Sequence, residues 1–319
     1  MSSLSDAAVA RLRATATWPT CESGRYRFIE PIGRGGMGAV YRAYDEQLAR
    51  EVAIKIPNGF GDAGVVHRLA VEARVLASLE HPGIVPIHDS GQLTDGRLFY
   101  VMKLVRGTTL RDHLASLPAL GERLGVFERV CDPVAFAHAH GFVHRDLKPE
   151  NIMIGPFGEV LVMDWGAALL TPTGAPAAPD SSSTGAIGTV GFMAPEQASA
   201  RGVDVRADVY GLGALLFLLV TGEAPDPDPL DRLAARRDVP APLRAICARA
   251  MARRADDRYA DVTQLAEEVR RYRSGLAVEA HAETALDWLR RFGRTYRTAI
   301  ILVAAYLVMR VVVAVVAGR

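Results

Sequence analysis

Eight consecutive residues of this 319-residue chain carry side chains whose types and spacing could transfer a phosphoryl group. They run from His144 to Asn151 and read His-Arg-Asp-Leu-Lys-Pro-Glu-Asn. Such a transfer needs a carboxylate that accepts the proton of the attacking hydroxyl, a cation that opposes the phosphate charge, and a ligand for a metal ion. Asp146, Lys148 and Asn151 have these properties. A solvated charged loop is the alternative interpretation.

A second carboxylate argues against the solvated loop, because Asp164-Trp165-Gly166 follows thirteen residues after Asn151. In this order the two segments resemble the His-Arg-Asp-Leu-x-x-x-Asn and Asp-Phe-Gly motifs of eukaryotic-type (Hanks-type) serine/threonine protein kinases, and the chain is similar to bacterial membrane-attached members. The resemblance implies that Asp146 is the base, that Lys148 opposes the phosphate charge, and that Asn151 and Asp164 hold Mg²⁺ or Mn²⁺. It also implies ATP as the phosphoryl donor.

A glycine-rich segment precedes a strand-like one near the N-terminus and matches Gly-x-Gly-x-x-Gly-x-Val. A dinucleotide-binding fingerprint begins in the same way but opens onto a helix, whereas residues 39–44 are β-branched and aromatic. The motif therefore predicts a hairpin that closes over phosphates, and an ordinary flexible hairpin is the alternative for this motif alone. The resemblance places the nucleotide against Ile32, Gly33, Arg34, Gly35, Gly36, Met37, Gly38 and Val40.

The segment Glu51–Ile56 alternates like a buried strand and resembles the Val-Ala-Ile-Lys motif, which implies that Lys55 holds the α- and β-phosphates. A helix follows, with an apolar stripe at helical spacing that comprises Leu69, Ala73, Leu76 and Leu79. Glu72 lies close to this stripe and is expected to point inward. A buried carboxylate needs a cationic partner, and Lys55 is the partner that the family supplies.

Residues 100–107 resemble the hinge between the two lobes of the kinase fold. The resemblance implies that Ala53, Met102, Lys103 and Val105 surround the adenine, with Met102 at the back of the pocket. The family usually has glutamate in place of Lys103, so no contact between this side chain and the ribose is expected.

An exposed loop is predicted between Asp164 and Glu196, because the segment contains three prolines and a run of hydroxyl side chains. The resemblance makes it an activation segment in which Thr189 seats the substrate loop. Arg145 is expected to be a buried cation without a fixed partner, which a loop phosphate could pair with. The candidate autophosphorylation sites are Ser181, Ser182, Ser183 and Thr184. Tyrosine kinases commonly carry Ala-Ala-Arg where this chain has Lys148-Pro149-Glu150, so the resemblance implies serine or threonine acceptors.

Three more polar residues are given structural roles by the resemblance. Asp208 is expected to anchor the backbone of the catalytic loop, and Arg258 to pair with Glu196, although an exposed salt bridge is an equal alternative for Arg258. Between them, the apolar run of residues 209–220 is too short for a membrane span and predicts a buried core helix. Strands are expected over residues 84–88 and 98–103, and helices over 109–117 and 123–140.

Composition excludes several classes of protein. The chain has 37 basic and 36 acidic side chains, so its balance does not favour nucleic acid as a partner. Three scattered cysteines argue against a disulfide framework and against a zinc site, which favours a reducing compartment. The N-terminus lacks the apolar region of a secretory signal, and residues 1–23 are predicted to be a flexible leader.

A hydrophobic stretch from residue 299 to 317 is interrupted only by Arg310 and predicts a transmembrane helix. Its helical length would be roughly 28 Å, close to the thickness of a hydrocarbon core. The preceding basic segment, residues 276–298, carries Arg290, Arg291, Arg294 and Arg297, which predicts that the kinase domain lies on the cytoplasmic side. A buried or oligomer-forming helix is the alternative, and pairing through Arg310 predicts a homodimer.

Taken together, the residues and the resemblance predict an α+β, two-lobe kinase fold with a small antiparallel-sheet lobe (residues 24–104), one helix packed on it, and a mainly helical lobe (residues 105–275). The expected reaction transfers the γ-phosphoryl group of ATP to serine or threonine of protein substrates in signal transduction. A pseudokinase scaffold would be expected to lack Lys55, Asp146, Asn151 or Asp164. A small-molecule phosphotransferase would not need the peptide-docking segment of residues 188–196.

Overall fold

The computed structural model describes residues 19–21, 23–35, 38–57, 72–73, 75–165, 169–170, 191–198, 203–226, 229–282, 293 and 296–317. A five-stranded antiparallel sheet makes up the N-terminal part of the described chain, and helices dominate the C-terminal part. This arrangement agrees with the predicted α+β class and the predicted division into a sheet lobe and a helical lobe.

The sheet has the strand order β1-β2-β3-β5-β4, and each neighbouring pair is antiparallel. Its strands are β1 (Tyr26–Gly35), β2 (Gly38–Asp45), β3 (Arg50–Pro57), β4 (Ile87–Gln92) and β5 (Leu98–Lys103). Gly35 pairs with Gly38 where β1 turns into β2, as the glycine-rich hairpin predicts. Gly35 and Gly38 therefore lie at the end of these two strands.

Alternation along β3 decides which side chains reach the space between the lobes. Val52, Ile54 and Ile56 are at most 1% exposed and pack in one apolar cluster on the outer face of the sheet. Successive side chains of a strand point to opposite faces, so Ala53 and Lys55 face the helical lobe. Ala53 accordingly packs in the large apolar cluster that extends through that lobe.

The strand predicted over residues 84–88 begins later than expected, at Ile87. Ile84 instead forms an isolated parallel bridge with Val162, whose backbone nitrogen donates to the carbonyl of Gly83 at 2.8 Å. Pro86 accepts a hydrogen bond from the backbone nitrogen of Lys103 at 3.2 Å but has no N–H to donate, and the strand starts after it. The β-branched segment thus ties the sheet lobe to the helical lobe.

The helical lobe contains helices that pack around one apolar core. Their bounds are α1 (Leu110–His113), α2 (Leu120–Ala139), α3 (Pro195–Ala198), α4 (Val205–Thr221), α5 (Pro229–Ala235), α6 (Ala241–Ala250) and α7 (Val262–Arg273). Short strands complete the lobe, namely β6 (Thr108–Thr109), β7 (Phe142–Val143), β8 (Ile152–Ile154), β9 (Val160–Val162) and β10 (Leu169–Leu170). The predicted helix over residues 109–117 is only α1 followed by a 3₁₀ turn, Leu114–Ser116.

The predicted core helix is confirmed as α4, in which residues from Ala207 to Leu219 are mostly buried. Asp204 caps its first turn by accepting a hydrogen bond from the backbone nitrogen of Arg206. Gly222 ends the helix with a φ of 77°, a conformation that favours glycine. The helix therefore starts and stops where its capping residues dictate.

A last helix, α8, runs from Arg297 to Ala317. Within the described residues, none of the helices combines the length and the apolar character needed to cross a membrane. The span predicted over residues 299–317 is therefore not confirmed. At the other terminus, Thr20 and Cys21 pair with Thr94 and Leu93, and residues 1–18 of the predicted leader lie outside the described residues.

Candidate active site

A cavity of about 700 Å³ lies between the sheet and the helical lobe. Pockets that hold small ligands usually measure roughly 300 to 1,000 Å³. The predicted site residues that line it are Ile32, Gly33, Arg34, Gly38, Val40, Lys55, Met102, Asp146, Lys148, Asn151 and Asp164. Thr109 and Glu150 also line it, and neither was predicted to do so. The fold thus brings residues from distant motifs to one space.

Lys55 joins carboxylates from both lobes. Its Nζ lies 2.7 Å and 3.0 Å from the two carboxylate oxygens of Glu72 and 2.8 Å from Oδ1 of Asp164. Glu72 is 3% exposed and belongs to a helix that includes residues 72–73 and 75–78, here called the Glu72 helix. Its predicted inward orientation and its pairing with Lys55 are confirmed.

Mutual attraction favours the charged forms of Lys55 and Asp164. Burial lowers the pKa of Lys55, but the charges of Glu72 and Asp164 outweigh burial and the net pKa is raised. Burial raises the pKa of Asp164, whereas the charge and hydrogen bond of Lys55 outweigh it and the net pKa is lowered. At neutral pH, Lys55 is therefore protonated and Asp164 is ionised.

Tyr100 is a member of this site that the sequence did not reveal. Its hydroxyl donates to Oε1 of Glu72 at 2.8 Å, and the side chain is only 2% exposed. Burial and the adjacent charge of Glu72 hold the pKa of Tyr100 well above its usual value, so it remains a donor. A tyrosine in an apolar strand is ordinarily read as core, and nothing in its spacing indicates a polar partner.

The loop from residue 144 to 151 folds back so that three of its side chains meet. Nζ of Lys148 donates to Oδ2 of Asp146 at 2.7 Å. The 3₁₀ turn Pro149–Asn151 returns the chain, and Nδ2 of Asn151 donates to the carbonyl of Asp146 at 2.7 Å and to its Oδ2 at 3.0 Å. One carboxylate thus lies beside a cation and an amide, the three side chains that the residue types and the resemblance singled out.

A buried carboxylate on α4 supports the loop from below. Oδ2 of Asp208 accepts from the backbone nitrogen of His144 at 2.7 Å, and Oδ1 accepts from that of Arg145 at 2.8 Å. The predicted anchoring role of Asp208 is therefore confirmed at the level of its contacts. His138 of α2 adds a contact of 2.8 Å to the same carboxylate, which sequence reasoning missed.

Ionisation of Asp208 follows from these donors. Burial raises the pKa of this carboxyl group, but the hydrogen bond and charge of His138, with further help from the backbone nitrogen of Arg145, lower it below its usual value. Arg145 has a φ of 70°, in the left-handed region that residues other than glycine rarely adopt. The hydrogen bond to Asp208 is one of the contacts that hold this backbone in place.

Comparison with known sequences agrees with this geometry. Residues 26–273 match the family model described as "Protein kinase domain". The chain belongs to the protein kinase family. The matched range includes both lobes of the fold and every side chain of the site described above.

Curated relatives with similar sequences include bacterial serine/threonine-protein kinases. The chain is 36% identical over 288 residues to serine/threonine-protein kinase PknB of Mycolicibacterium smegmatis. The aligned residues cover 83% of this chain and 45% of that protein. It is 32% identical over 292 residues to serine/threonine-protein kinase PknD of Chlamydia felis, covering 79% of this chain and 31% of the relative. PknB of Mycobacterium tuberculosis (strain ATCC 25618 / H37Rv) is 34% identical over 285 residues. The kinase chain thus spans less than half the length of these relatives.

The motif residue Asp164 has an unusual backbone conformation, and its neighbour Trp165 is buried. Asp164 has a φ of 61°, and such backbone strain often accompanies functional sites in folded proteins. Trp165 is 1% exposed, and its ring centroid lies 4.6 Å from that of His144. It shares a buried apolar cluster with Val75 and Leu76 of the Glu72 helix.

The predicted pairing of Arg258 with Glu196 is confirmed, and it is not an exposed salt bridge. The two terminal nitrogens of Arg258 lie 2.6 Å and 2.8 Å from the carboxylate oxygens of Glu196, and the arginine side chain is fully buried. The same guanidinium donates to backbone carbonyls at Ala252, Arg206 and Arg253. Helix α3 is thereby fixed to the lower part of the helical lobe.

Some predicted residues lie elsewhere. Among the described residues, those lining the cavity do not include Ala53, Lys103 or Val105. Met102 faces the cavity, so the next residue of β5, Lys103, points to the opposite face and is exposed. Other predicted residues fall outside the described part of the chain, namely Gly36, Met37, Ser181, Ser182, Ser183, Thr184 and Thr189.

Proposed function

We propose that this protein transfers the γ-phosphoryl group of ATP to serine or threonine hydroxyl groups of proteins. The observation that carries the proposal is the meeting, around one cavity, of the Lys55–Glu72 pair, Asp164, and the Asp146–Lys148–Asn151 group. The printed names of the curated relatives, serine/threonine-protein kinases, support the same acceptor class. Protein substrates in signalling are the corresponding partners.

The residues of the cavity fit ATP and a divalent cation. A Cβ atom on Gly33 would meet only Val40, at 3.9 Å, so the hairpin leaves open space at this glycine, whereas a Cβ atom on Gly38 would lie 2.4 Å from the carbonyl oxygen of Ile56 within the sheet itself. The carboxylate of Asp164 and the side-chain oxygen of Asn151 are hard oxygen donors, which suit Mg²⁺, and Mn²⁺ accepts the same donors. Adjacent Lys55 provides a cation for phosphate oxygens.

Binding and orientation of the nucleotide are assigned to three side chains. Lys55 contacts the phosphates, and Glu72 is a positioning residue that fixes the Lys55 ammonium through two hydrogen bonds. Met102 of β5 limits the depth of the cavity. Because Glu72 lies on a helix and Lys55 on a strand, the distance between them reports whether these two elements are correctly docked.

Proton transfer is assigned to Asp146. The acceptor hydroxyl attacks the γ-phosphorus as the bond to the ADP oxygen breaks, and the hydroxyl proton passes to the Asp146 carboxylate. Lys148 is held 2.7 Å from this carboxylate and opposes negative charge on the transferred group. The metal ion, held by Asn151 and Asp164, would neutralise charge on the phosphate oxygens when bound.

The test separates transfer from nucleotide binding. We expect D146N to abolish phosphorylation of protein and peptide substrates while it still binds Mg·ATP, and D164N to lose Mg²⁺-dependent ATP binding as well. D256N is the matched control, because Asp256 is 75% exposed and pairs only at the surface with Arg206. A wild-type chain that binds ATP but transfers no phosphate would favour a scaffold, and phosphorylation of a small molecule alone would favour a small-molecule phosphotransferase.

We also propose that α8 attaches the kinase to a membrane, with the kinase domain on the cytoplasmic side. The apolar side chains described between Ile300 and Met309 are exposed, several of them by more than half. Contiguous exposed apolar surface of this kind favours contact with lipid. Membrane fractions washed with alkaline carbonate test the attachment, since a loosely bound protein would be released.

Association of two copies and phosphorylation of the activation segment complete the proposal. Arg310 is an exposed cation within the otherwise hydrophobic residues 299–317 of α8, and pairing between helices would shield it in lipid. R310L should then reduce crosslinked dimers in membranes. Phosphopeptide mapping tests the proposed phosphorylation sites, residues 181–184. Limited proteolysis tests the proposed domain boundaries at residues 23, 275 and 298.

A further inference from the structure

Gln197 of α3 bridges two backbone segments with one side-chain amide. Its Oε1 accepts from the backbone nitrogen of Ala194 at 3.0 Å. Its Nε2 donates to the carbonyl of Arg145 at 2.6 Å, across 52 residues of sequence. An amide offers both a donor and an acceptor, so Gln197 can serve both segments at once.

Gln197 binds the carbonyl of Arg145, which is part of the peptide group between Arg145 and Asp146. The carbonyl of Asp146 itself accepts a hydrogen bond from Nδ2 of Asn151 at 2.7 Å. The backbone nitrogen of Arg145 donates to Asp208 at 2.8 Å. The two peptide groups that flank Asp146 are therefore held by Gln197 and Asn151, and the peptide group before Arg145 is held by Asp208. Rotation of either peptide group would swing the Asp146 carboxylate away from its position beside Lys148.

The conformation of Arg145 makes these contacts necessary. Its φ of 70° lies in the left-handed region, which is unfavourable for a residue with a Cβ atom. Such a conformation persists only where the surrounding contacts hold it. The hydrogen bond from Gln197 is one such contact, and it comes from the helix that also carries Glu196.

We propose that Gln197 is a positioning residue for the Asp146 carboxylate and that it transmits the docking of α3 to the catalytic loop, an inference that rests on the proposed function. Glu196, its neighbour on α3, is fixed by the buried guanidinium of Arg258. Docking of α3 therefore sets the position of Gln197, and Gln197 sets the peptide group before Asp146. The donor arm of the amide, Nε2, links α3 to the catalytic loop. The acceptor arm, Oε1, closes a local turn at Ala194.

Two substitutions separate the arms. Q197M removes both hydrogen bonds at similar volume, whereas Q197E keeps an acceptor for Ala194 but places a carboxylate against the carbonyl of Arg145. Q264M is the matched control, because Gln264 of α7 also accepts from a backbone nitrogen, that of Ala260 at 3.2 Å, far along the chain from Asp146. All variants are made in the full chain and assayed with a peptide substrate.

We expect Q197M and Q197E to lower kcat by about three- to tenfold, as the loss of one hydrogen bond in the transition state would. The KM for ATP and the affinity for Mg·ADP should stay within about twofold of wild type, because the nucleotide contacts are untouched. Q264M should keep wild-type kcat. Thermal unfolding of each variant is measured in parallel, and Q197E decides the question if Q197M does not fold.

Wild-type kcat in Q197E overturns the proposal, since the donor arm would then have no effect on the reaction. Equal losses in kcat and in Mg·ADP affinity, accompanied by a lowered unfolding temperature, would also overturn it, because Gln197 would then act on stability alone. An inactive wild-type chain instead refutes the proposed function. The two failures are therefore distinguishable in the same assay.

Discussion

The hydroxyl of Tyr100 donates to Oε1 of Glu72 at 2.8 Å, the same oxygen that accepts from Lys55 at 2.7 Å. One buried carboxylate oxygen thus connects β5, β3 and the Glu72 helix. The net pKa of Glu72 is raised, because burial is the largest effect and the nearby Lys55 and Tyr100 offset only part of it. Each of these two donors therefore helps to keep a charged carboxylate in the interior.

Tyr100→Phe removes one of the two donors without changing the ring. We expect the free energy of unfolding to fall by about 1 to 2 kcal/mol, because a buried charged acceptor loses a hydrogen bond. The KM for ATP should rise, since Lys55 is held less firmly. Chemical denaturation and steady-state kinetics measure the two effects. Tyr44→Phe on β2 is the control, and an equal loss in that variant would contradict the assigned role of Tyr100.

Arg258→Lys keeps the positive charge of a buried pair but removes its fork of donors. The guanidinium serves Glu196 through two nitrogens and also three backbone carbonyls, which one ammonium cannot match. We expect a loss of about 3 kcal/mol in the free energy of unfolding. Arg254→Lys, whose exposed partner Asp257 lies 3.8 Å away, should cost less than about 0.5 kcal/mol. Similar losses in the two variants would refute this explanation.

Much of the site could be predicted because its charged residues occur in motifs that specify their partners. Lys55 with Glu72, and Arg258 with Glu196, were paired from residue types and the family resemblance, and the structure contains both pairs. A buried charge allows few alternatives, since only an opposite charge or several donors can compensate for its desolvation. The partners of buried charged residues can therefore be predicted from a sequence.

Neutral hydrogen-bonding residues could not be read in this way. Tyr100, His138 and Gln197 meet partners 28, 70 and 52 residues distant, and their types are equally compatible with core or surface positions. The start of β4 was also mispredicted, because Ile84 and Val85 suit a strand locally while the bridge to Val162 depends on tertiary packing. Long-range geometry decides these cases.

Asp208→Asn tests how the ionised carboxylate supports the catalytic loop. Because the folded pKa of Asp208 lies below its usual value of 3.8, its ionisation stabilises the fold above that value, and this contribution is lost as the pH falls through the folded pKa. We expect the variant to lose about 2 to 4 kcal/mol at pH 7. The difference from wild type should shrink below about pH 4. A difference that is constant from pH 7 to pH 3 would exclude the charge as its source.

Gly38→Ala and Gly33→Ala distinguish a steric requirement of the fold from one of the nucleotide. A Cβ on Gly38 would approach the carbonyl oxygen of Ile56 to 2.4 Å, whereas a Cβ on Gly33 meets only Val40, at 3.9 Å. Gly38→Ala should therefore lower the free energy of unfolding by about 1 to 3 kcal/mol, as overpacking does.

Gly33→Ala should leave stability unchanged or raise it by up to about 1 kcal/mol, because it restricts the unfolded chain. If phosphates approach the hairpin backbone at Gly33, this variant should nevertheless bind ATP more weakly, which titration of a fluorescent nucleotide measures. Full ATP affinity in Gly33→Ala would show that the nucleotide does not approach this part of the hairpin. A stable Gly38→Ala would mean instead that β2 and β3 can separate at this end at little cost.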